Sequence, residues 1–207
     1  MIRNMFIIIS AIGLLTWSLS TCFANESYAN EGPLVKGSEV EQNMTVDGET
    51  GVTTWSITSS GVYFALKQLT PLQLKAFYLK RGFSDTQIEP YTQSCVFMTV
   101  LRNDSAPGVI HFISNNWLID VKGKPHQPFS VGHWVDLLSK TDVKKSSLIA
   151  FRWAQFPIEQ QYEPGGDWNQ GMFSVGLPGG TQFTLLAKWD INGKPYQAIL
   201  RGISCAK

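Results

Sequence analysis

Beyond an opening apolar run, the chain alternates apolar and polar positions over most of its length. In "VTTWSIT", Thr53, Trp55 and Ile57 alternate with Val52, Thr54 and Ser56, the two-residue period of a half-buried strand. "GVYFALKQL" follows a Ser59-Ser60-Gly61 turn and predicts a second strand. "CVFMTVLRN" is apolar on both faces, as expected of a central strand covered on both sides. "VIHFIS", "WLIDVKGKP" and "SLIAFRWAQF" read as further strands, the last with Ile149, Phe151 and Trp153 on one face. Near the C-terminus Phe183, Leu185, Ala187 and Trp189 share one face of a hairpin arm. Asn192-Gly193 marks its two-residue turn.

The pattern changes period between residues 70 and 90. Thr70 is an N-cap, Pro71 suits the first helical position, and Gly82 suits the exit. Leu72, Ala76 and Leu79 predict an apolar stripe, widened by Leu74, Phe77 and Tyr78. Ser84 with Gln87 forms a capping box, Phe83 with Ile88 a hydrophobic staple, and Pro90 limits the second helix. A further short helix is expected around Trp134 to Leu138. Many short strands with one helical insertion predict a mainly β fold: an immunoglobulin-like β-sandwich with an inserted helical hairpin, or alternatively a small β-barrel.

Composition narrows the setting. Arg3, the apolar run "MFIIISAIGLL" and small residues up to Ala24 predict a signal peptide over 1–24. Export to the periplasm or beyond follows, with no membrane span in the mature chain. "LSTC" also resembles a lipobox, which would make Cys22 a lipid anchor. Residues 25–50 are polar and predict a mobile tail with a short strand near Val46; 51–207 form one domain. Loss of Arg3 from 17 basic residues balances the 16 acidic ones, so net charge draws the chain to neither nucleic acid nor an anionic membrane. Cleavage also leaves two cysteines, Cys95 and Cys205, expected to form one structural disulfide.

The segments "KAFYLKRGF", "CVFMTVLRND", "IAFRWAQFP", "EPGGDWNQGM" and "GLPGG" resemble a set of exported proteobacterial proteins. The resemblance implies export and a single domain, and no activity.

No nucleophile elbow, zinc-protease, Walker or dinucleotide signature is present. Glu163 and Asp167 could form a glycosidase pair beside Trp168, but an Asp in "GGD" more often bonds its own turn. Met98, His111, His126, His133 and Met172, with Met44 in the tail, are the thioether and imidazole ligands that would suit copper. None lies at ligand spacing. In "YEPGGDWNQGMFSVGLPGG" two Pro-Gly-Gly turns flank a strand whose inward face is Phe173, Val175 and Leu177. Tyr162, Asp167, Trp168 and Met172 are its candidate binding residues, with Trp168 expected to fold into the core. The sequence therefore points to an exported, non-enzymatic binding or assembly module that meets a protein partner through loops or a strand edge. The alternatives are a periplasmic copper-binding accessory protein and a carbohydrate-binding protein.

Overall fold

The computed structural model describes residues 42–207; the expected signal, Cys22 and the tail before Gln42 lie outside them. The first sheet is built from β1 (Gln42–Val46), β2 (Thr53–Ser59), β3 (Val62–Gln68), β4 (Ser94–Asn103) and β9 (Asp167–Pro178), in the order β1-β2-β3-β4-β9. The second contains β5 (Ile110–Ile113), β6 (Leu118–Val121), β7 (Lys124–His126), β8 (Glu159–Tyr162), β10 (Gln182–Ile191) and β11 (Lys194–Ser204). Its order is β7-β6-β10-β5-β8, with β11 along the remaining edge of β10. Every pairing within the two sheets is antiparallel.

The two sheets pack as a sandwich because their inward positions are apolar at a period of two. Trp55, Ile57, Phe64, Leu66, Phe97 and Leu101 of the first meet Phe112, Ile119, Phe183, Leu185, Ala187 and Leu200 of the second. Trp117 sits between them, fully buried, with its indole N–H donating to the Lys188 carbonyl at 2.8 Å. Cys95 in β4 is bonded to Cys205, just past β11, so the disulfide joins the two sheets across 110 positions. The Asn192-Gly193 turn has both residues at positive φ (51° and 77°), the geometry that a tight hairpin turn requires.

Four α-helices pack on the outer face of the first sheet around Val96 and Met172. They are α1 (Pro71–Leu79), α2 (Asp85–Thr92), α3 (Val131–Leu138) and α4 (Lys145–Trp153). Capping boxes at Thr70–Gln73 and Ser84–Gln87 fix the starts of α1 and α2. A second apolar layer joins Leu74, Tyr78, Ile88, Tyr91, Trp134 and Phe151 to Val96 and Met172 on the sheet. This explains the two-sided apolar character of β4, which is central and covered on both faces.

Three expectations about the helices are corrected. The stretch expected as a strand around Phe151 is α4: of the three residues expected on one face only Phe151 is buried, while Ile149 and Trp153 face out, so their alternation was not a sheet face. In α1 the buried side chains are Leu74 and Tyr78, one turn apart, whereas Leu72, Ala76 and Leu79 are exposed. Pro90 lies inside α2, which continues to Thr92.

The expected strand near Val46 is β1, so part of the supposed tail belongs to the sheet. Its side chain Gln42 reaches β11, donating to the Arg201 carbonyl at 2.8 Å and accepting from the Arg201 amide at 2.7 Å. Gln68 accepts from the Thr53 amide and donates to the Ser204 carbonyl. These amides, rather than a backbone ladder, link the sheets on this side, and the body is a sandwich rather than a barrel.

Candidate binding surfaces

The glycine-rich stretch resolves into turn, strand and turn, with all of "DWNQGM" inside β9. Phe173 and Val175 point inward and are buried, as expected. Asp167 accepts from the Glu163 amide at 3.2 Å, the turn role, which occupies it within its own loop. Tyr162 is buried at the end of β8 with no partner on its hydroxyl, and burial pushes its pKa up. Trp168 is not in the core: it is 50% exposed. It shares the outward parity of Gln170 and Met172, and of these Met172 reaches the helical layer. Strand register aligns Tyr63, Arg102 and Trp168 across β3, β4 and β9. Arg102 lies over the Tyr63 ring, 4.8 Å from its centroid, and pairs with Asp104.

The expected copper ligands are dispersed. Met98 and Met172 are cross-strand neighbours, but the Met172 sulfur is buried and accepts from the Tyr78 hydroxyl at 3.1 Å. His126 bonds the Gln127 carbonyl at the end of β7. The His133 ring in α3 lies tilted against Phe129, just before the helix, with ring centroids 4.3 Å apart. Met44 is exposed on β1. Among the described residues no group of three His, Cys, Asp or Glu is placed to hold a metal ion.

His111 has a different role, legible only from strand register. Its Nδ1 lies 3.0 Å from Asp190 and its Nε2 lies 2.8 Å from Glu159, so one ring bridges β5, β10 and β8. Hydrogen bonding to Glu159, then to Asp190, raises its pKa. With both nitrogens facing carboxylates, the ring clamps three strands when it is protonated. Because the folded-state pKa is raised, the stabilisation is complete below the ordinary histidine pKa and disappears as pH rises through the folded value. The stability difference between wild type and His111→Gln, read from urea midpoints across pH, is therefore largest in acid and shrinks toward alkaline pH. A difference that grows with pH would refute the clamp.

A concave feature lies where α3, the end of α4 and β8 meet. It is a groove of about 650 Å³, within the size range of ligand sites. Val131, Val135, Phe156, Pro157 and Ile158 give it apolar walls, and Asp136, Arg152 and Glu159 supply charge. The helix α3 forms because Ser130 caps it and Trp134, Val135 and Leu138 bury one stripe. After α4 the chain crosses the edge of β9: Met172 donates to the Ala154 carbonyl (2.8 Å) and Phe156 donates to the Met172 carbonyl (2.9 Å).

A buried polar network fixes the groove wall at Gln155. The Tyr91 hydroxyl donates to its side-chain oxygen at 2.9 Å. Its nitrogen donates to the Tyr78 hydroxyl at 2.8 Å and to the Phe151 carbonyl at 3.1 Å. Burial pushes both tyrosine pKa values well up, so the phenols stay neutral donors.

The groove thus has rigid, largely apolar walls with both signs of charge. The fold and this surface define a mainly β, two-sheet sandwich bearing a helical layer. No protein-family model, curated protein sequence or solved structure matches the chain. Among the described residues no helix is long and apolar enough to cross a membrane.

Proposed function

We propose that the chain is an exported, non-enzymatic binding module whose groove holds a short apolar segment of a protein partner. The carrying observation is the groove itself: apolar walls, a locked Gln155 and charges of both signs. Arg152, Asp136 and Glu159 all line the groove, which suits a segment whose apolar side chain is accompanied by both an acidic and a basic residue. The amino-terminal apolar run behind Arg3 supports export. The buried Cys95–Cys205 bond agrees with an oxidising compartment.

Gly132 offers a clean test. A Cβ there would meet only Ser130 Oγ at 3.6 Å and its backbone φ is ordinary, so a side chain can be added at this groove-lining position without backbone strain. A photo-crosslinker at Ile158 captures one partner at stoichiometric yield from the native extract, and Gly132→Trp abolishes that adduct while leaving the melting temperature unchanged. An adduct that survives in Gly132→Trp, or no adduct in the wild type, overturns the proposal.

A further inference from the structure

We propose that the outer face of α4 is a contact surface for a bilayer carrying anionic headgroups. Trp153 is 88% exposed and Ile149, one turn earlier on the same face, is 45% exposed. Tryptophan is highly buried on average, so a side chain held this far out calls for an interaction. It is held firmly: Phe151, fully buried, packs against Tyr78, Phe83 and Tyr91 and fixes how the helix presents its outer side.

The charges point to the partner. Residues 143–158, "VKKSSLIAFRWAQFPI", carry Lys144, Lys145 and Arg152 and no carboxylate. Asp142 and Glu159 bound the stretch, and Asp136 and Glu159 share the groove with Arg152. None of the three cations has an ion-pair partner among the described residues. Lys144 occupies the N-cap with no side-chain capping bond, and Lys145 follows it. A helix start favours anions and short polar caps, so two lysines there act against the fold's own preference. Local rules are broken in this way where function needs the residue.

Exposed tryptophan and isoleucine with cations along their flanks is the composition of helices that lie in a membrane interface. Headgroup phosphates meet such cations at any register, and the ring settles among the acyl-chain ends. The balanced net charge of the chain hides this local excess.

The test uses the purified protein with vesicles of phosphatidylcholine, with and without phosphatidylglycerol. Phosphatidylglycerol is expected to raise co-sedimentation, and added salt to lower it. Lys144→Gln with Lys145→Gln lowers partitioning about 25-fold, from roughly fivefold per cation at an anionic surface. Trp153→Ser lowers it on both lipids. The amino-terminal apolar run is common to all variants, so the differences report on α4, and unchanged thermal melts show that the exposed substitutions leave the fold intact. Variants that sediment like the wild type overturn the proposal. So does a Trp153-dependent protein complex in the absence of any vesicle binding, which would make the face a protein interface.

Discussion

Replacing Cys95 and Cys205 by alanine together is expected to destabilise the domain by about 4 kcal/mol. In the chain-entropy model, closing a loop of this length removes roughly 4 to 5 kcal/mol of freedom from the unfolded chain. Both sulfurs belong to residues that are 3% exposed, at the end of the core where the two sheets meet. Other contacts there persist, since the Cys205 amide donates to the Thr181 carbonyl and the Gly180 amide donates to the Cys205 carbonyl. At about 2 to 4 °C per kcal/mol for a chain of this size, the melting temperature falls by about 10 °C. A double variant that melts with the wild type would show that the staple constrains nothing the fold does not already hold.

Gly171→Ala is expected to cost about 3 kcal/mol, from overpacking together with strained hydrogen bonds. Gly171 lies on β9 where the strand edge meets the chain leaving α4. An added Cβ would land on the Phe156 amide nitrogen and the Gln155 carbonyl group, both backbone. Backbone does not swing aside as a flexible side chain does. The bonds from Phe156 to Met172 and from Met172 to Ala154 must open, and Gln155 moves with them. Partner capture through the groove is lost along with stability. Gly48→Ala is the control, because its Cβ would meet nothing within 4 Å and its φ is not in the left-handed region. Urea midpoints that shift equally in the two variants would exclude this close contact as the cause.

The strands were legible because their inner faces follow a strict alternation that the sandwich then buries, as in Trp55 and Ile57 or Phe183 through Trp189. The caps of α1 and α2 were legible because Thr70 and Ser84 act within three residues of themselves. The helix α4 was not: Ile149, Phe151 and Trp153 imitate a strand, and Lys144 gives no start signal. Its conformation is decided by Phe151 packing among distant rings. The groove was hidden for a similar reason, since Val131 to Asp136 meet Arg152 to Glu159 only in space. His111 drew attention as a metal ligand, yet Asp190 lies 79 positions away and Glu159 lies 48. Only the pairing of β5 with β10 and β8 brings the three together. Trp168 was misplaced because the helical layer reaches Met172 on the same face of β9 and leaves Trp168 half-exposed.

Gln42 behaves toward Arg201 as a residue of a neighbouring strand would, giving one donor and one acceptor to the rim of β11. A protease that clips between Gln42 and Val52 therefore does more than trim a polar leader. Release of β1 uncovers the Arg201 amide and carbonyl together with the β2 edge that Gln42–Val46 had paired, and nicked molecules acquire a site at which they stick to one another.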